Sequence, residues 1–366
     1  MSKIVSIATG TPPYKHKQDE IFSFADAVYS QNDVDSRKLK FLYKHSGIET
    51  RHSSIPDYGM PINERQFYAK NKALEPFPNL EERMEWYAKN AAPLSINTIT
   101  ECIDKKIKVS DITHLITVSC TGMSAPGLDL EIVETMGLSP NIFRTSINFM
   151  GCYAAIHALK LADALCTGKE NVNVMVVCTE FCTLHFQKEN TIDNLTATLL
   201  FADGCAAMLV QSDGSTMKGL NIDSFFSNIS FKGKKDMSWK LSSRGFLMTL
   251  SGYVPDLVKE DFEALVGKAL DNAGLTKDDI THWCIHPGGK KILEVIENCI
   301  HLPKNSLDYS YQVLRNFGNM SSPTILFVLQ KILNELQVTP NAKKAVVFGA
   351  AFGPGLTMET FIGKYD

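Results

Sequence analysis

The chain has 366 residues, 44% hydrophobic and 21% charged, with a formal net charge of -3. That length exceeds what one hydrophobic core normally supports, so two domains or two fused halves are expected. A balance this close to neutral excludes a protein built to hold nucleic acid or an anionic membrane surface.

The opening stretch MSKIVSIATGTPPY alternates apolar and small residues and then turns at Pro12 and Pro13, which predicts a strand and a loop. It lacks the apolar core and cleavage site of a secretion signal, and no later run approaches the roughly 18 to 20 apolar residues of a membrane span. A cytoplasmic protein is expected. Residues 93–107 (PLSINTITECIDKKI) repeat apolar side chains at three- and four-residue steps, as a helix does. SDITHLITVSCTG (110–122) runs from an acidic cluster into an apolar strand and out through glycine. NFMGCYAAIHALKLADAL (148–165) sets Cys152 before a long apolar helix, and NVMVVCTE (173–180) follows as a buried strand bounded by charge.

The same order then returns. DLVKEDFEALVGKALDNAGL (256–275) is helical in period, DDITHWCIHPGG (278–289) repeats the acidic start and glycine exit, and NFGNMSSPTILFVLQKIL (316–333) repeats Asn-Phe, glycine, small residues and helix. KAVVFGAAFGPG (344–355) closes the series as a Val-rich strand. Asp111-Ile112-Thr113-His114 answers Asp279-Ile280-Thr281-His282, and Cys152 corresponds to Asn319. Strands alternating with helices in two matching series predict an internally duplicated α/β fold that divides near residue 220. In such a fold the N-termini of the two central helices face each other across a cleft.

The cleft residues suit acyl chemistry. A thiol at a helix N-terminus is biased toward thiolate, and Gly151, Ala154 and Ala155 leave space for a substrate beside Cys152. His286 ends a strand at Pro287-Gly288-Gly289, where an imidazolium would hold the thiolate as an ion pair and later donate to an oxyanion. Asn319 adds an amide that cannot ionise. Cys, His and Asn in that order fit either an acyl-transfer hydrolase or a carbon–carbon condensing enzyme. The nine cysteines form no pair of CxxC spacings, so no metal is expected and most are read as buried, reduced thiols.

Five motifs together resemble the chalcone synthase-like type III polyketide synthases of the thiolase superfamily: FMGCYAA around Cys152, LLFADGCAA around Phe201, IHPGG around His286, GNMSS around Asn319 and AAFGPGLTMET near the C-terminus. The resemblance spans nearly the whole chain and has features of the bacterial members. It implies an α/β, thiolase-like duplicated five-layer αβαβα fold, with residues 1–220 carrying the nucleophile and 221–366 the histidine and asparagine. It implies a homodimer acting on an acyl-CoA starter and malonyl-CoA, with no cofactor beyond the coenzyme A thioesters themselves. Cys152 would carry the starter and the growing polyketide, while His286 and Asn319 stabilise the enolate left when malonyl-CoA loses carbon dioxide.

The resemblance also assigns pocket positions. Phe201 matches one gatekeeper phenylalanine of plant members, and Met248 stands at the second, with Phe246 two residues earlier. Cys120, Cys182 and His185 stand where threonines line the plant cavity, and a thiol at Cys120 is similar to that of bacterial members making naphthalene products. Ser321 belongs to GNMSS, and Gly353 and Pro354 to the signature loop. Ala125 replaces a methionine that plant members project into the partner's cavity. In SRKLKFLYKH, Lys38 is expected to meet coenzyme A phosphates, with Lys40 and Lys44 at helical spacing. The expected product is a pyrone, resorcinol, phloroglucinol or naphthalene. Two alternatives are a ketoacyl-acyl carrier protein synthase of the initiating type and a non-catalytic subunit of a condensing complex.

Overall fold

The computed structural model describes residues 2–212, 214–339 and 345–366. Strand β1 (Lys3–Gly10) is followed by β2 (Tyr14–Lys17), helices α1 (Gln18–Tyr29) and α2 (Asp33–His45), and β3 (Thr50–Ser53), which pairs with β2. Helix α3 (Leu80–Ile103) starts on a capping box, with Asn79 Oδ1 accepting from Glu82 N and Glu82 reaching back to Asn79 N. It runs thirteen residues ahead of the predicted start, and Pro93 lies in its interior. Then come β4 (His114–Ser119), α4 (Leu128–Met136), β5 (Phe143–Asn148), α5 (Ala154–Cys166), β6 (Asn173–Phe181), α6 (Ile192–Leu200) and β7 (Asp203–Gln211). Strand β8 (Leu220–Ile229) precedes a separate ribbon, β9 (Met237–Ser242) with β10 (Gly245–Leu250). Helix α7 (Val254–Ala273), β11 (His282–Ile285), α8 (Lys290–Cys299), α9 (Asp308–Phe317), α10 (Thr324–Val338), β12 (Val346–Gly353) and β13 (Thr357–Tyr365) complete the order. Lys344, where the last strand was predicted to begin, lies outside the described residues.

Nine strands form one sheet in the order β11-β12-β13-β8-β1-β7-β6-β4-β5. From β1 outward the neighbours are β7, β6 and β4, paired antiparallel, antiparallel and parallel. From β8 outward they are β13, β12 and β11, with the same three directions. The two half-sheets pair with each other where Lys3 meets Asn221 and Ile4 meets Leu220, and β5 extends the first half by one parallel strand.

The duplication reaches side chains. Thr113 Oγ1 donates to Asn173 O at 3.0 Å and accepts from Asn173 N at 2.9 Å; Thr281 Oγ1 makes the same two bonds, with the same lengths, to Val346. The repeated Asp-Ile-Thr-His therefore clamps one strand to the next in each half.

Period-2 alternation builds the layers. Val174, Val176 and Cys178 of β6 join a central core with α5 and α10, shared with Val347 and Ala351 of β12. Met175 and Val177 face the other way, into a core with α3 and α4. On the far side, Trp283, Ile285, Phe348 and Ala350 pack against α7 and α8. The layers run helix, sheet, helix, sheet, helix, with α5 and α10 in the middle. Among the described residues no helix is long and apolar enough to cross a membrane.

Candidate active site

A cavity of about 430 Å3 is lined by Cys152, His286 and Asn319, brought there by three different turns. Cys152 stands between β5 and α5, one residue before the residue that caps α5. The turn needs Gly151: its φ is +82°, and a Cβ there would lie 2.3 Å from Pro354 Cδ. Gly353 is similarly confined, since its Cβ would meet the Tyr153 ring at 2.4 Å. Both residues of the Gly-Pro loop thus hold the turn that carries the thiol, and Pro354 also lines the cavity.

His286 follows β11, where its backbone N–H donates to Ala350 O at 2.8 Å. Asn319 lies between α9 and α10 and is not the cap of α10, which is Pro323. Its main chain is paired around Phe201, with Ala202 N donating to Asn319 O at 2.8 Å and Asn319 N to Leu200 O at 3.0 Å. Its Oδ1 accepts from Ser321 N at 2.9 Å and lies 3.9 Å from the Cys152 sulfur, which donates to it. Its Nδ2 donates to Gly288 O at 3.2 Å, tying it to the turn beyond His286 and leaving one amide hydrogen free.

Burial bears on the charge state at both Cys152 and His286. Burial pushes the Cys152 thiol up to about 12, the side chain of Ser321 pulls it down, and the nearby Glu180 charge adds to the rise. Burial alone pushes His286 down to about 3, and neither ring nitrogen has a hydrogen-bond partner. Burial thus favours the neutral thiol and the neutral imidazole, and it works against the thiolate that the start of α5 favours.

Glu180, at the end of β6, escaped the sequence reading. It is fully buried, and its carboxylate accepts from Ser322 Oγ at 2.7 Å, Cys120 N at 2.8 Å and Thr121 Oγ1 at 2.8 Å. It joins the loop after β4 to the GNMSS segment directly behind the thiol. A single Glu closing NVMVVCTE reads as a strand boundary, and only its adjacency to a buried run hinted otherwise.

The pocket positions divide. Phe201, Met248, Cys120, Cys182, His185 and Ser321 all line the cavity, and Phe246 does so beside Met248. Cys120 Sγ accepts from Gly151 N at 3.0 Å, so that sulfur braces the nucleophile turn. Lys38 lies on the exposed face of α2 and is not among the lining residues; Leu42 and His45 line the cavity from that helix, and Lys290 and Lys291 from the start of α8. The lysine pair directly follows His-Pro-Gly-Gly, a signal passed over in favour of α2.

Residues 1–214 match the N-terminal domain of chalcone and stilbene synthases, and residues 223–364 match their C-terminal domain. The chain belongs to that family, and it is a type III polyketide synthase, a condensing acyltransferase with the thiolase-like fold. Its relatives include the alpha-pyrone synthesis polyketide synthase-like Pks18 of Mycobacterium tuberculosis, 28% identical over 97% of this chain and 89% of that protein. PKS-I of the brown alga Ectocarpus siliculosus superposes with a TM-score of 0.93 at 26% identity, over 100% of this chain and 98% of that one. The C-terminal type III domain of Steely1, a type I/III hybrid from Dictyostelium, gives 0.90 at 26%, over 100% and 99%. Neither the carrier-protein synthase nor the non-catalytic subunit is favoured by these relatives.

Proposed function

We propose that this enzyme condenses malonyl-CoA repeatedly onto an acyl-CoA starter held on Cys152, and that the chain then cyclises to a pyrone, resorcinol, phloroglucinol or naphthalene. The observation that carries the assignment is the meeting of Cys152, His286 and Asn319 on one largely apolar cavity, with the Cys152 sulfur against the Asn319 side chain.

In loading, the thiol attacks the starter thioester, the sulfur–carbonyl bond to coenzyme A breaks, and the thiol proton passes to the departing sulfur. The unpaired ring nitrogens of His286 suit it to relay that proton. Malonyl-CoA then loses carbon dioxide, and the enolate oxygen is held by an N–H of neutral His286 and the free amide hydrogen of Asn319. The enolate carbon attacks the acyl-Cys152 carbonyl, a carbon–carbon bond forms, and the Cys152 thiolate leaves. A neutral imidazole serves here as a donor without carrying charge into a dry site.

The coenzyme A phosphates are assigned to Lys290 and Lys291 at the cavity mouth in place of Lys38. The stem of Lys290 packs over Gly47 at the end of α2, and its ammonium lies 3.5 Å from Glu294 Oε1, an exposed pair that a phosphate could replace. No metal or organic cofactor is required, because the thioester acidifies the carbon and the two donors stabilise the charge. We place the division between halves at residues 220 and 221, in keeping with the repeated strand order. A homodimer in the cytoplasm is proposed, with the open edge strand β5 and the exposed Met123 and Phe143 as its contact face.

Mass spectrometry of products from malonyl-CoA with acetyl, medium-chain, long-chain and aromatic acyl-CoA starters tests this reading. Polyketide ions that vanish in Cys152→Ala are the expected result. Product that persists in Cys152→Ala, or no product from any starter, overturns it.

A further inference from the structure

The β9–β10 ribbon forms one wall of the cavity: Met237 and Trp239 of one strand and Phe246, Met248 and Leu250 of the other all face it. Among the described residues the ribbon hydrogen-bonds to no other strand, and a two-stranded ribbon has little stability of its own. What holds it decides where the wall stands.

Its ends are tied by Leu250 N to Asp193 Oδ1 at 3.0 Å and by Gln187 Nε2 to Arg244 O at 3.0 Å. Its cavity side is held by two side-chain bonds. His185, buried in the turn after β6, bonds through Nε2 to Thr121 O at 2.7 Å and through Nδ1 to Phe246 N at 3.1 Å. A carbonyl can only accept and an N–H can only donate, so this is the neutral ring with its proton on Nε2. The ring also stacks on Phe246, with centroids 4.2 Å apart at 10°, and meets Trp239 edge-on. Trp239 Nε1 donates to Cys120 O at 2.7 Å. Gly245 permits the approach, because a Cβ there would lie 3.2 Å from His185 Nδ1 and its φ is +106°. Both nitrogens being engaged, His185 has no donor left for a polyketide.

Thr121 and Cys120 belong to the loop that braces the nucleophile turn through Cys120 Sγ. Resting on the type III reading above, we propose that His185 is a positioning residue that staples the ribbon to this loop, fixes the spacing between wall and Cys152, and so limits how many malonyl units the cavity accepts. His185→Leu fills similar space but strands the Phe246 N–H and the Thr121 carbonyl. His185→Gln offers an acceptor and a donor and restores both bonds.

Hydrogen exchange read by mass spectrometry on the free enzyme, together with product lengths from one fixed starter, tests the staple. In His185→Leu, exchange across Gly245–Leu250 is expected to quicken about tenfold or more, with products shifted toward further extension. His185→Gln should recover both readouts. Unchanged ribbon exchange, unchanged product length in His185→Leu, or a His185→Gln enzyme indistinguishable from His185→Leu overturns the proposal. Should His185→Leu fail to fold, His185→Phe removes both bonds and keeps an aromatic ring against Phe246, and a shift of neither readout is equally fatal. Exchange needs no substrate, so a wild-type enzyme that makes no polyketide would refute the reaction and leave the staple to be judged on exchange alone.

Discussion

At the scale of one residue, the neutral state of Cys152 has a measurable signature. With the thiol pushed up to about 12, the reactive thiolate grows with alkalinity throughout the neutral range. Alkylation of Cys152 in the free enzyme should accelerate about tenfold per pH unit between about pH 7 and about pH 9, and run slower than a free cysteine throughout. Iodoacetamide labelling followed by peptide mapping checks this. A plateau already reached near neutrality would mean a thiolate held by an imidazolium, and the burial argument would be lost. Glu180 offers a second residue-scale test. Glu180→Ala strands Cys120 N–H and the hydroxyls of Thr121 and Ser322, which should cost about 2–4 kcal/mol in a denaturant melt. A loss below about 1 kcal/mol would mean that the buried carboxylate contributes little beyond its own desolvation.

At the scale of elements, the turn from β5 into α5 is where local conformation and function meet. Gly151→Ala meets two obstacles at once, the left-handed φ and the Pro354 ring. The strain should lower stability by about 1–3 kcal/mol and separate the thiol turn from the signature loop, with a loss of kcat larger than the loss of stability. Thermal melts and steady-state rates on the same preparation check it; wild-type kcat in a destabilised variant would show that the loop contact is structural only. The same turn explains what could be read from residues alone. Cys152 and Asn319 each directly follow a glycine, and His286 ends an apolar run at Pro-Gly-Gly; glycine in such places announces an element end. The start of α3 was misplaced because Pro93 imitates a first helical residue, whereas the signal lay upstream in Asn79 and Glu82. Trp239 and the ribbon carry no sequence signal because six-residue strands in a Lys- and Ser-rich stretch show no buried period, and their partner is a histidine 61 residues from Phe246. Lys290 and Lys291 lost to α2 because charge spacing along a helix is visible in sequence and the mouth of a cavity is not.

At the scale of the molecule, the duplication places two apolar helices between two sheet halves, with Cys166, Cys178 and Cys284 in that central core among seven buried free thiols. Burial pushes all seven upward, Cys102 to about 11 and Cys166 to about 12. An unfolded thiol titrates near about 8.5, so above that pH the unfolded chain sheds protons that the folded chain keeps. The contribution of each thiol to stability is full below about pH 8.5 and falls by about 1.4 kcal/mol per pH unit as pH rises toward its folded value. Because all seven shifts have the same sign, the losses add, which predicts stability that falls steeply and cooperatively once the pH rises above about 8.5. Guanidinium melts at stepped pH check this, and Cys284→Ala, which removes one titrating group without overpacking its site, should flatten the slope by about 1.4 kcal/mol per unit. Stability that stays level up to about pH 10.5 would mean that these thiols titrate normally in the folded chain, and that the core between α5 and α10 admits water.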